Sequence, residues 1–220
     1  MGRTSNSRQR LIDAGHELIW ATSYGSVTID AICQRARVKK GTFYHFFDSK
    51  ADLVIATIDA WWDERRPFVR ACFSPEVPPL ERILRYVDAV AQRHLAAYAA
   101  NGRILGCPMF TLASEICTVD EKIRAHIQAI LDLGPLHFGE AIREAQARGQ
   151  VYGNNPQLKG RLMWSFYEGT LIRARVENNP RILQTLCSDL IELAGVPVPL
   201  PPIPHYAQIP DRSLITTASQ

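Results

Sequence analysis

Apolar residues in the first part of the chain recur every three or four positions, not every two. Leu11, Ile12, Leu18 and Ile19, with Gly15 between them, trace one face of a helix that Gly25 ends. Ile29, Ile32, Cys33 and Ala36 trace a shorter one over about 28–35. Thr28 opens it, and Asp30 sits in its first turn, where a carboxylate suits the helix dipole. After a break at Arg37–Val38 comes a second short helix, about 39–45, with Phe43 and Phe47 four apart on one side. Ser49 and Asp52 have capping-box spacing and begin a longer helix through about Arg66, which Pro67 and the stretch Ser74–Pro79 end.

Five further helices are predicted, over about 80–100, 108–118, 121–148, 156–177 and 180–194. Pro108, Pro135, Pro156 and Pro180 punctuate them, and Pro135 predicts a kink or break near Gly134. No strand-period run with hairpin signals occurs, so the expected fold is all-α. The stretch from Val196 to Pro210 carries six of the chain's 14 prolines and reads as extended, polyproline-like chain. It is either a surface-laid or disordered tail or an arm that wraps a partner subunit.

Composition changes this picture little. The chain has 220 residues, 46% hydrophobic and 21% charged, enough for a core without staples. Five scattered cysteines with no CxxC pair argue against a zinc site or a disulfide framework. No apolar run approaches a membrane span or a signal peptide core, so a reduced, cytoplasmic protein is expected. Charge is more informative. Residues 1–50 hold eight Lys/Arg against four Asp/Glu, leaving 17 against 18 for the rest. A basic excess confined to one small module fits a surface facing a polyanion.

Two short helices separated by three residues have helix-turn-helix spacing, in which the second helix puts its N-terminal residues into the major groove of double-stranded DNA. Lys39, Lys40 and Thr42 lie at that end, and Gly41 lets backbone and DNA approach closely. Phe43 and Phe47 would anchor the helix, while Tyr44 and His45 point elsewhere and reach phosphates. Lys50, in the first turn of the next helix, adds a positive charge beside free backbone N–H groups.

The segment Ser26–Val54 resembles the DNA-binding signature of the TetR family of transcriptional regulators. Thr28, Ile32, Ala36, Val38, Gly41, Tyr44, Phe47, Lys50 and Leu53 carry the match. The resemblance implies that Thr28 caps its helix and touches phosphate, that Tyr44 and Lys50 also hold phosphates, and that Lys39, Lys40, Gly41, Thr42 and His45 read the groove. One position departs: the turn residue commonly glycine in that family is Arg37. If that turn needs positive φ, a non-glycine residue costs about 1 kcal/mol. Either the turn differs slightly or Arg37 adds a phosphate contact.

The resemblance further implies a helix-turn-helix domain over 1–50, a ligand-binding and dimerising domain over 51–195, and the proline-rich tail at 196–220. It implies a homodimer on a palindromic operator, released by a small-molecule effector and most often repressing. Helices 156–177 and 180–194 suit a dimer interface. Leu158, Leu162, Ser165, Phe166, Gly169 and Ile172 line the first, and Ile182, Leu183, Leu186, Cys187, Leu190 and Leu193 the second. Packing within one chain is the alternative. Candidate effector contacts are Trp61, Trp62, Tyr86, Phe110, His137, Phe138, Trp164 and Tyr167, with His94 and Glu168 as further polar groups. Pro108 makes Cys107 the expected cap of its helix, where the dipole favours thiolate; Cys107 is then either a reactive sensor or an inert, buried thiol. An enzyme is the rival class. No HExxH, nucleophile elbow or phosphate-cradling glycine loop occurs, and His137, Glu140 and Glu144 lack the paired motif of a di-iron site. No cofactor or metal is expected.

Overall fold

The computed structural model describes residues 2–196, and among these every regular element is a helix. The proline-rich stretch beyond Val196 lies outside the described residues. In chain order the helices are α1 (Gly2–Ala21), α2 (Ile29–Arg35), α3 (Lys40–Phe46), α4 (Lys50–Cys72), α5 (Pro79–Asn101) and α6 (Pro108–Ile116). They continue with α7 (Glu121–Leu131), α8 (Leu133–Ala147), α9 (Pro156–Glu177), α10 (Arg181–Gln184) and α11 (Leu186–Ala194).

Packing groups these helices into two units discontinuous in sequence. The first runs to Arg65 and takes in Leu105–Leu133; the second holds Arg66–Ile104 and everything from Gly134 on. In the first unit α4 serves two clusters. Leu53 packs with Leu11, Ile32, Phe43 and Phe47 around the three N-terminal helices. Its neighbour Val54, with Ile58, faces Met109, Leu112, Ile116, Ile123 and Ile127 of α6 and α7. Adjacent residues on a helix point about 100° apart, so one helix serves both clusters. Polar contacts reinforce the second: Lys122 Nζ pairs with Asp52 at 2.5 Å, and His126 Nε2 lies 2.7 Å from Asp59 in a hydrogen bond.

The second unit packs α10 and α11 on α5 and α9. The α8–α9 contact depends on paired glycines, because a Cβ on Gly160 would meet the Gly139 backbone nitrogen at 2.3 Å. Arg82, 4% exposed, is bidentate to Glu144 at 2.8–2.9 Å and also donates to the carbonyls of Val77 and Pro75.

Two expectations need correction and one is met. The fourth helix does not stop before Pro67 but runs on to Cys72. Burial of Val69 and Cys72 in the last turn offsets the lost hydrogen bond. The segment 121–148 is two helices parted at Asp132, close to the predicted break at Gly134. Likewise the segment 180–194 is two helices, parted at Thr185.

His94, buried in α5, is held down to about 4, by burial first and by Arg93 second. Its folded value lies below the ordinary 6.5, so the unfolded chain takes up a proton that the folded chain refuses. Stability is therefore full above pH 6.5 and falls as pH drops toward 4, by up to roughly 3 kcal/mol. Urea unfolding at neutral pH and just above pH 4 should show this loss, and His94→Leu should reduce it, leaving the part that the other buried histidines, His16 and His137, contribute.

Candidate nucleic-acid interface

The helix-turn-helix is assembled from local signals. Thr28 caps α2, its Oγ1 accepting the Ala31 N–H at 3.1 Å. Arg37 adopts φ +53°, so the turn does require the left-handed conformation, and a non-glycine residue supplies it. The Val38 N–H donates to the Cys33 carbonyl and closes the turn. Seven residues make α3 too short to hold itself, so its orientation comes from packing. Phe43 is wholly buried and Phe47 nearly so, their ring centroids 5.8 Å apart. Arg8 lies over the outer face of Phe47. With these rings turned inward, Lys39, Lys40, Gly41, Tyr44 and His45 are exposed, Tyr44 at 51%; Thr42 is half-buried and Arg37 exposed beside them.

Charge on this face is loosely held. Lys40 pairs with Asp30 at 2.9 Å, but both side chains are more than half exposed. So exposed a pair contributes little to stability and yields readily to a phosphate or a base edge. Gly41 is informative in another way. A Cβ built there meets nothing within 4 Å among the described residues, so nothing in their packing requires glycine.

Lys50 departs from the phosphate role. Its Nζ donates to the carbonyls of Tyr24, at 2.7 Å, and Val27, at 2.9 Å, and sits 4.0 Å from the Tyr24 ring centroid. Burial lowers its pKa. The ammonium thus ties α4 to the α1–α2 loop. A residue the sequence did not flag holds the same loop from the other side. Glu115 of α6 accepts the N–H of Tyr24 at 2.9 Å and of Gly25 at 2.6 Å. Nothing in the spacing of either segment announces this contact between residues ninety apart.

The candidate effector contacts fall into two groups, one in each unit. Trp61, Trp62, Cys107 and Phe110 belong to the first. Trp61 lines a cleft between α1, α4 and α6, with His16, Trp20 and Thr57 among its other walls. Tyr86, His137, Phe138, Trp164 and Tyr167 belong to the second and stack on one another and on Phe73. His137 lies 4.7 Å from the Phe73 centroid, and burial lowers its pKa. His94 and Glu168 are buried in that unit. Cys107 takes the N-cap position of α6, half-buried, but its side chain makes no capping bond, contrary to expectation; its carbonyl accepts from Thr111 instead. Burial pushes Cys72 and Cys187 up to about 12 and raises Cys33 and Cys117 less far. Among the described residues no cluster of His, Cys, Asp and Glu is placed to hold a metal. None of the described helices is long and apolar enough to cross a membrane.

A basic recognition helix on a three-helix module, joined to a larger helical part, defines a helix-turn-helix regulator. Residues 11–57 match the family described as bacterial regulatory proteins, tetR family. The chain is 33% identical over 178 residues to the transcriptional regulator AcuR of Cereibacter sphaeroides, covering 80% of each. It is 22% identical over 187 residues to the HTH-type transcriptional repressor DhaR of a Mycobacterium species, strain GP1, covering 84% of this chain and 90% of that one. The crystal structure of regulatory protein TetR from Rhodobacter sphaeroides matches with a TM-score of 0.72 at 30% identity, covering 85% of this chain and 98% of that one. This chain belongs to the TetR family: it is a DNA-binding transcriptional regulator and not an enzyme.

The Lys50 geometry makes a specific prediction. Lys50→Met leaves two loop carbonyls without their donor and should lower stability by about 1–2 kcal/mol. DNA affinity should fall with it, while the salt dependence of binding stays unchanged. A salt slope smaller by about one would instead place the ammonium on a phosphate.

Proposed function

We propose that this regulator acts in the cytoplasm as a homodimeric repressor on a palindromic operator, and that a small apolar or electrophilic effector releases it. The carrying observation is the outward face of α3. Lys39, Lys40 and His45 stand exposed around a glycine that internal packing does not require. Lys39 and Lys40 supply affinity through phosphates and base edges, Thr42 and His45 reach base edges, and Tyr44 and Arg37 reach the backbone. Thr28, at the start of α2, adds a backbone contact.

Dimerisation is supported by α9. Leu158, Leu162, Phe166 and Ile172 are all exposed on one stripe, Leu162 at 53%, with Ser165 and Gly169 between them. A Cβ on Gly169 would meet nothing within 4 Å, so that face has room for a second helix. A contiguous apolar stripe of this kind needs covering. The stripe on α10 and α11 contributes less. Leu183, Leu186 and Leu190 are buried within the chain, while Leu193 stays exposed. Two copies joined through α9 would present two recognition helices to two half-sites. Cys107, at the start of α6, is the thiol an electrophilic effector would meet on this reading.

Gly41→Ala tests the DNA-facing role of α3. Replacing a helical glycine should stabilise the folded chain by about 0.5–1 kcal/mol. Affinity for duplexes selected by the natural chain from a random pool should nevertheless drop, by about tenfold, equivalent to about 1.4 kcal/mol. A stabilised variant that binds those duplexes as well as the natural chain would contradict the proposal.

A further inference from the structure

The cleft between α1, α4 and α6 holds an unusual set of polar atoms. It lies wholly within the first unit, between three of its helices. Its walls are mostly apolar, among them Ile19, Val54, Ile58, Met109 and Leu112. Three of its other lining side chains carry a nitrogen shielded from solvent and, among the described residues, without a hydrogen-bond partner: His16 Nε2, Trp20 Nε1 and Trp61 Nε1. Buried donors are almost always paired, so three orphans around one cleft require an explanation. Both indoles are obligate donors, and a neutral imidazole donates or accepts according to tautomer. Burial, and then Arg65, lower the pKa of His16 and favour that neutral form. Thr57, by contrast, is satisfied, its hydroxyl donating to the Leu53 carbonyl.

We propose that this cleft binds a small, mainly apolar molecule bearing a carbonyl or carboxylate oxygen, which accepts from the Trp20 and Trp61 indoles beside His16. Each of the three nitrogens is shielded from solvent, so such an oxygen meets them only after the rings turn. The indoles pack at the cleft edge and not in a tight core: His16 and Trp20 meet edge-on at 5.0 Å, and Trp61 lies under the Arg65 guanidinium at 4.2 Å. A donor pair with an apolar surround selects for an acceptor on a short hydrocarbon frame.

The same cleft is wired to the DNA-facing helices. Glu115 lines it and clamps the Tyr24 and Gly25 amides of the loop that leads to the Thr28 cap. A molecule entering between α6 and α1 bears on that clamp and so on the seating of α2. This regulatory half rests on the proposed DNA-binding role; the binding half does not.

The chain has four tryptophans, Trp20, Trp61, Trp62 and Trp164, so its indole N–H resonances are few and assignable by single Trp→Phe variants. Butyramide and butyrate serve as neutral and charged probes, with pentane as the control lacking an acceptor. The expected result is saturable downfield movement of the Trp20 and Trp61 indole protons with at least one acceptor probe. Trp62 and Trp164 should stay in place, and pentane should give no such shift. Trp61→Phe should weaken the probe by roughly five- to tenfold. A stronger response to butyrate identifies the ligand as an anion; a stronger response to butyramide identifies it as a neutral carbonyl compound. Absence of any saturable shift up to probe solubility, or equal movement of all four indoles, would overturn the site. With the site filled, the selected duplex should be released in a gel shift. Full retention would overturn the link through Glu115, whereas failure to bind duplex DNA without any probe would overturn the DNA-binding role and leave the site standing.

Discussion

A single buried ring governs the DNA-facing end of the molecule. Phe43 has no exposed surface, and it sits at the centre of a helix of only seven residues. A helix so short has little preference of its own for direction or rotation. Burying Phe43 and Phe47 against Leu11, Ile32 and Leu53 selects one rotation, and that rotation turns Lys39, Lys40, Gly41, Tyr44 and His45 outward. Removing such a ring from a core typically costs about 3–5 kcal/mol, more than the neighbouring surface ion pairs contribute together. The charges on this face are therefore placed by apolar packing and do not place themselves.

Seating the helix is one requirement and fixing its height is another. The α1–α2 loop is gripped from two sides, its carbonyls by Lys50 and its amides by Glu115. Charged partners make these among the stronger hydrogen bonds available to a loop. They also explain why α6 and α7 fold with the N-terminal helices and not with the rest of the chain. Val54 and Ile58 provide the apolar part of that attachment, and Asp52 and Asp59 the polar part.

What the sequence revealed followed from how local each signal is. The Thr28 cap, the two-helix spacing, the inward phenylalanines and the cost at Arg37 all involve residues within a turn or two of one another, and all are found in the structure. The exposed stripe on α9 was legible for the same reason. The internal partners of Lys50 were not legible, because a lysine at a helix start looks alike whether its nitrogen meets solvent, a phosphate or a carbonyl of a distant loop. Glu115 was missed because its partners lie ninety residues away, and periodicity records no such pairing. Pro67 looked like a terminator because its local penalty is visible, while the burial of Val69 and Cys72 that outweighs it is tertiary. The candidate effector residues were a list of aromatic side chains. The structure puts Trp61 on a cleft wall, leaves Trp62, Cys107 and Phe110 outside that lining, and gathers Tyr86 and Trp164 in a stacked cluster, a distinction that composition does not contain.

The central claim is that the anchored third helix delivers its exposed face to duplex DNA. It is tested most directly by photo-crosslinking from single positions. A benzophenone side chain in place of Tyr44, on that face, should crosslink to bound duplex with high yield. The same group in place of Tyr152, 69% exposed but in the second unit, should not. Crosslinks from position 152 with none from position 44, in a protein that still retains the duplex, would contradict the account.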